Sequence, residues 1–283
     1  MPPRHPDWIK VGAPGSPNYL RLKRILRRHN LHTVCEEAHC PNIGECWKHN
    51  TATFLILGDI CSRGCRFCAI SKGKPQALNP EEPRNVALVV KELDLAHIVV
   101  TSVNRDDLPD GGSAHFAKTV FWIKLLNPGI RVEVLIPDFK GDQRALETVV
   151  RSGIDILNHN METVQRLYKR VRSGAVYQRS LDILKAAKEI RGEILTKSGL
   201  MLGVGETTQE VITTLQDLRQ IDCDIVTLGQ YLQPSANQLT VKRYVPPSEF
   251  DELKKEAEKL GFRHVESGPL VRSSYHAWSY CQP

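Results

Sequence analysis

Three thiols fall within eight residues in the run Cys61-Ser62-Arg63-Gly64-Cys65-Arg66-Phe67-Cys68. Thiolates are soft ligands, and three of them so close together point to a metal centre. A structural zinc normally takes four protein ligands, whereas a cubane iron-sulfur cluster held by three thiolates keeps one iron open to a further ligand. An open iron is a place where chemistry can occur. The other reading of these residues is a zinc knuckle short of one ligand. A second set lies upstream, Cys35, Cys40 and Cys46 in C-x4-C-x5-C spacing, with Pro41 and Gly44 suited to a loop that wraps a compact ligand. The six thiols could build two four-ligand zinc sites only by borrowing His39, His49 or a distant cysteine, while two three-thiol clusters need no loan. Cys223, in a helix-to-strand connection, and Cys281, near the terminus, are explained by ordinary burial or exposure.

The elements that must position these thiols are α/β. Apolar runs at residues 53–57, 97–102, 130–136, 154–159, 194–202 and 225–230 alternate with helical patterns. Asp142 is placed to cap a helix ending before Gly153, and Thr207 with Glu210 forms a capping-box pattern. Repeated β-α units imply a parallel sheet, and six fall short of a closed eightfold barrel, so the expectation is an open (β/α)6 partial TIM barrel with N- and C-terminal extensions. The division is an extension over 1–50 carrying the first cysteine set, a barrel over 51–235, and a closing extension over 236–283. In such barrels the active face lies at the C-terminal ends of the strands. The distinctive polar segments do follow strands: the cysteine loop, Thr101 to Gly112, Asn158 to Thr163, Lys197 to Glu206, and Gln230 to Ser235. Asn104 to Asp110 could be an acidic turn or a casual calcium loop, but it lacks EF-hand spacing and the trailing glutamate. Gly203 and Gly205 equally suit close packing or turns, and Asn158 and His159 equally suit satisfied strand-end positions.

Outside the barrel, residues 1–18 carry five prolines and read as an irregular arm. Tyr19 to Asn30 form a short basic helix with Leu20, Leu22, Ile25 and Leu26 as its apolar stripe. Near the end, Ser248 is placed to cap a helix over 249–260, stopped by Gly261, with Leu253, Ala257 and Leu260 inward. The chain has 283 residues, 41% hydrophobic, with no run long enough to span a membrane and no apolar core of a signal peptide at its start. With eight cysteines clustered for ligation rather than spread for disulfides, this predicts a reduced protein in the cytoplasm. A formal net charge of +6 favours an acidic partner without a basic run dense enough for nucleic acid. A zinc-bound nucleic-acid module is the rival from another class, and six β-α units argue against it.

The C-x3-C-x2-C loop resembles that of radical S-adenosylmethionine (SAM) enzymes, with Phe67 matching their adenine-facing position. The paired cysteine sets, Gln230-Tyr-Leu-Gln-Pro234, Arg243-Tyr-Val-Pro-Pro247 and Arg272-Ser273-Ser274-Tyr275 together resemble the lipoyl synthase family over about residues 7 to 277. The resemblance implies two [4Fe-4S] clusters and SAM. Cys61, Cys65 and Cys68 would hold the cluster that opens SAM, and Cys35, Cys40 and Cys46 an auxiliary cluster with a serine oxygen, Ser273 or alternatively Ser274, as a further ligand. It also implies a mouth that binds SAM and an octanoyl chain, with Asn104, Arg105, Asn160, Glu162, Lys197 and Glu206 as candidate contacts. An amide and a carboxylate suit ribose hydroxyls, and a cation suits the methionyl carboxylate. The implied reaction inserts two sulfurs at C6 and C8 of a protein-bound octanoyl-lysine, drawing them from the auxiliary cluster. The implied partners are an octanoylated lipoyl carrier domain or glycine cleavage H-type protein, a reducing electron donor and a cluster repair protein. Val171-Arg-Ser-Gly-Ala-Val-Tyr177 departs from the family pattern at Ser173 and Val176, where proline and aspartate are usual, and Gln238 stands where histidine is common.

Overall fold

The computed structural model describes residues 5–48 and 51–275; His49, Cys281 and the end of the closing motif beyond Tyr275 lie outside them. Strands are β1 (His32–Thr33), β2 (Thr53–Ile56), β3 (Ile60–Cys61), β4 (Ser71–Lys72), β5 (His97–Ser102), β6 (Arg131–Leu135), β7 (Ile156–Asn158), β8 (Leu195–Leu202), β9 (Ile225–Gln230) and β10 (His264–Gly268). Helices are α1 (Pro17–Arg28), α2 (Val34–Glu37), α3 (Ile43–Lys48), α4 (Glu82–Leu93), α5 (Ser113–Leu126), α6 (Gln143–Val150), α7 (Tyr168–Val171), α8 (Tyr177–Ile190), α9 (Thr208–Gln220) and α10 (Pro247–Lys259).

The six expected strands are β2, β5, β6, β7, β8 and β9, all parallel and neighbours in chain order. Their continuous apolar runs reflect burial on both faces: every residue of β2 and of β9 is buried. The sheet is longer than expected by one strand at each edge, and it does not close. β1 pairs antiparallel with β2, setting His32 opposite Leu55, and β10 pairs parallel with β9, setting His264 opposite Ile225. Both flanking segments are thus stitched into the barrel sheet.

Local signals mostly hold. Asp142 accepts from the Arg144 and Ala145 amides to cap α6, and the Thr207–Glu210 box opens α9 with both of its hydrogen bonds made. Two readings are corrected. The cap of α10 is Pro246, not Ser248, because Pro247 supplies a pre-set φ at the first helical position, and Phe250 joins Leu253 and Ala257 inside while Leu260 is only half-buried. In α1, Leu22, Ile25 and Leu26 are buried but Leu20 is exposed, because two residues before Leu22 it falls on the far side of the helix. Among the described residues, no helix is long and apolar enough to cross a membrane.

Candidate active site

The C-terminal ends of the strands surround a cavity of about 790 Å³. Thiols of both sets line it: Cys35 and Cys40 from the N-terminal segment, and Cys61, Cys65 and Cys68 from the loop after β2, with Phe67, Asn104, Asn160, Glu162, Arg172, Ser273 and Ser274. Cys46, on α3, is not part of this lining; burial, with Cys35 and Cys40 adding to it, pushes its thiol up to about 12. All seven described cysteines are free.

The cysteine loop is held from several sides. The two-stranded β3–β4 ladder closes its base, and Gly73 N–H donates to Cys61 O at 3.1 Å. Ser62 binds Asn104 O through its amide at 3.0 Å and its hydroxyl at 2.9 Å, tying the loop to the segment after β5. Arg66 N–H donates to Val171 O at 3.0 Å, and Leu239 N–H donates to Arg66 O at 2.8 Å. At the loop's centre, Arg63 makes a fork to Asp106 (2.6 and 2.9 Å) and reaches Asp138 at 2.7 Å. Burial would raise the Asp138 carboxyl, but the Arg63 guanidinium more than offsets this and holds it at about 2. Cys61 Sγ accepts from the Arg63 and Asn104 amides, each at 3.4 Å.

Arg172 is a second polar centre of the cavity lining. It donates to Asn160 O at 2.6 Å and to the Tyr168 hydroxyl at 2.7 Å, and its guanidinium packs 5.3 Å from the Tyr168 ring centroid. Its Nε, although buried, has no hydrogen-bond partner among the described residues. Burial raises the Glu162 carboxyl, and Arg172 partly opposes that. Glu162 takes a left-handed backbone (φ +64°) as its amide and carbonyl bridge Gly199 and Met201, which turns its side chain to the cavity. His159 is buried and satisfied by Ile136 O and Ser180, both at 2.9 Å; burial and the nearby Arg172 push its pKa down to about 4, so it is a neutral strand-end residue.

Three sequence candidates do not reach this mouth. Lys197 points into the barrel and lies 2.9 and 3.1 Å from the Glu133 carboxylate oxygens, both side chains fully buried. Burial would raise Glu133, but Lys197 and His97 outweigh it and leave the carboxyl at about 2. Arg105 turns to Asp107 and Leu57 O, and it lines a different, smaller cleft. Glu206 accepts from the amides of Gly203, Val204 and Gly205, so its charge is spent on its own turn. Of the two serines, Ser273 accepts from Asn158 Nδ2 at 2.8 Å and donates to Asn160 Oδ1 at 3.0 Å, and Ser274 accepts from Thr53 at 2.7 Å. Arg63, Arg172, Glu133 and the half-buried Arg272 beside Cys40 are not singled out by sequence, although three of the four stand in motifs that are.

The departures also find places. Gln238 donates to Cys68 O at 3.3 Å and is fixed by Ser235 at 2.6 Å, so it still serves the cysteine loop. Ser173 offers its backbone amide to Cys65. Val176 is the N-cap of α8, half-exposed and without a side-chain capping bond. An aspartate there would cap the helix, so Val176→Asp should raise stability by about 1 kcal/mol in chemical denaturation. A loss of stability would show that the cap geometry is wrong.

A family model for the radical SAM superfamily matches residues 55–218, and one for the N-terminal domain of lipoyl synthase matches residues 2–40. The barrel is similar to that of HydG, a maturase of the [FeFe]-hydrogenase, at TM-score 0.58 and 15% identity, over 81% of this chain and 61% of that one. Fold, thiol loop and superfamily match together define a radical SAM enzyme. The chain is 56% identical to lipoyl synthase from Roseiflexus sp. (strain RS-1), over 97% of its length and 91% of the relative's. It is also 56% identical to lipoyl synthase from Caldanaerobacter subterraneus subsp. tengcongensis, over 98% and 97%. The chain belongs to the lipoyl synthase family.

Superfamily membership implies a [4Fe-4S] cluster and SAM. The donor set fits the cluster: free thiols at Cys61, Cys65 and Cys68 share one cavity wall, and burial, with the neighbouring thiols adding to it, pushes Cys68 to about 12. A buried thiol of that kind becomes a thiolate only with a cationic partner, which a metal centre supplies. Among the described residues no three His, Cys, Asp or Glu side chains are placed to grip a single metal ion. The unpaired Arg172 Nε, on a residue that lines the same cavity, fits an anionic ligand there.

Proposed function

We propose that the enzyme converts a protein-bound octanoyl-lysine to a lipoyl group by inserting sulfur at C6 and C8, with Cys61, Cys65 and Cys68 holding the cluster that opens SAM and Cys35, Cys40 and Cys46 holding a second, auxiliary cluster. The observation that carries this reading is that thiols of both sets line one cavity, and that Ser273 lines it too. When bound, the first cluster would deliver an electron to SAM to release a radical able to take hydrogen from an alkyl carbon, and the second would supply the sulfur.

The chain's own residues bind and orient. Phe67 offers a face for adenine, and Asn104, Asn160 and Glu162 offer amide and carboxylate groups for the ribose and the amino group. Arg172, with its free Nε, replaces Lys197 as the cation best placed for the methionyl carboxylate. Leu135, Leu200 and Val271 give the cavity an apolar wall suited to an eight-carbon chain and to keeping water from a radical. The substrate carrier is an octanoylated lipoyl domain or a glycine cleavage H-type protein, and turnover draws on an electron donor and a cluster repair protein in a reducing cytoplasm.

The test is anaerobic. Protein loaded with iron and sulfide is given SAM, reductant and an octanoyl-lysyl peptide, and the peptide is weighed. Gain of two sulfurs as a dithiol is the expected result. Cleaved SAM with an unchanged peptide would overturn the substrate, and untouched SAM would overturn the radical chemistry.

A further inference from the structure

A buried ion pair is weak evidence for stability, since apolar residues of similar volume often serve as well, so the Lys197–Glu133 pair at the barrel's centre calls for another account. Its neighbours supply one. Glu133 Oε1 accepts from Lys197 Nζ and, at 2.9 Å, from Asn158 Nδ2. The second hydrogen of that amide goes to Ser273 Oγ at 2.8 Å, and Ser273 passes its own hydrogen to Asn160 Oδ1. Asn158 Oδ1, fully buried, has no partner among the described residues, so this orientation is not set by anything on the oxygen side. It is set by the carboxylate: a flipped amide would turn its oxygen onto Glu133. The segment that carries Ser273, from Leu270 to Tyr275, has no helix or strand of its own. Its other side-chain ties to the frame include Asn42 Nδ2 to Leu270 O at 2.6 Å, Thr53 to Ser274, and Tyr275 to Glu45 at 3.3 Å.

We infer that Asn158, aimed by the Glu133–Lys197 pair, is a positioning residue that sets Ser273 for the auxiliary thiols Cys35, Cys40 and Cys46. The inference rests on the proposed auxiliary site. It assigns Lys197 a role in the reaction different from contact with SAM, and it gives the buried charges a purpose: a neutral pair could fill the space but could not choose the amide's orientation.

The full chain carrying Cys61→Ala, Cys65→Ala and Cys68→Ala leaves only the auxiliary set to load, and ferrous iron and sulfide are the probe. In that background Ser273→Ala and Asn158→Ala should each weaken retention of iron and sulfide against a chelator by about tenfold, the lower end of what loss of a supporting partner costs. The two together should cost no more than either alone. Additive losses would overturn the inference, because Asn158 would then act apart from Ser273. Unchanged retention in Asn158→Ala with a loss in Ser273→Ala would overturn it while leaving the auxiliary site standing. Unchanged retention in Ser273→Ala would overturn the inference, because Ser273 would then not serve those thiols, and failure of the triple-alanine background to load iron and sulfide at all would overturn the auxiliary site itself. Because Asn158→Ala takes one hydrogen bond from a buried carboxylate, Glu133→Leu with Lys197→Met offers a second route that keeps an apolar centre. It should fold and still lose retention, whereas full retention would overturn the inference.

Discussion

Cys46→Ala should retain SAM cleavage and lose sulfur insertion by at least about a thousandfold, roughly 4 kcal/mol at the limiting step. The separation follows from how the two thiol sets are built. Cys46 sits on α3, where its amide donates to Asn42 O at 2.9 Å, and Cys40 N–H donates to Cys35 O at 3.0 Å, so that set is folded on itself. The Cys61–Cys68 loop is instead tied to Asn104, Asp106, Asp138 and Val171, all in the barrel. Losing Cys46 therefore removes one ligand from the proposed sulfur source and no tie from the loop that serves SAM. Methionine and 5′-deoxyadenosine release measures the first function, and the mass of the octanoyl-lysyl peptide measures the second. Parallel loss of both would mean that the two sets form one cooperative unit; dithiol product from the variant would remove the auxiliary set from the reaction.

The parts of this design that lie close together in sequence were legible there. The thiol spacings, the six apolar runs, the Asp142 cap and the Thr207–Glu210 box each involve residues within a turn or a strand of one another, so local rules reach them. What escaped depends on pairing across the barrel. Lys197 looks like a ligand cation when read after β7 and before a glycine-rich turn, yet its fate is decided by Glu133, 64 residues away on β6. Glu206 looks like a free carboxylate until the turn at Gly203 aims three amides at it. β1 is two residues long and β10 is only partly buried, so neither carries the continuous apolar signal of the central strands. Arg63 carries no local signal between its cysteines because its partners are 43 and 75 positions downstream.

Those partners make Arg63→Met the substitution with the largest expected effect on the fold itself. Asp138 is fully buried, and without Arg63 its side-chain partners among the described residues are Arg179 at 3.0 Å and the Lys140 amide at 3.1 Å, while the less buried Asp106 can turn to water. Breaking a buried pair by removing one partner costs about 3–5 kcal/mol, and the surviving Arg179 contact places this case near 3. Arg63→Lys should lose less: it keeps a charge near Asp138 but cannot reproduce the two-pronged contact with Asp106. The pH dependence identifies the cause. The native Asp138 carboxyl is held at about 2 against an ordinary value of 3.8, so the stability it contributes is complete above 3.8 and fades as the pH falls toward 2. The gap between the parent chain and Arg63→Met, measured by anaerobic denaturant unfolding without iron, should be widest at pH 7 and narrow below 3.8. A gap that stays constant to pH 3 would assign the loss to packing of the arginine stem instead. Because Arg63 lies between Cys61 and Cys65, the same variant should also hold iron poorly at the SAM-side thiols while the Cys35, Cys40 and Cys46 set, which it does not touch, loads normally.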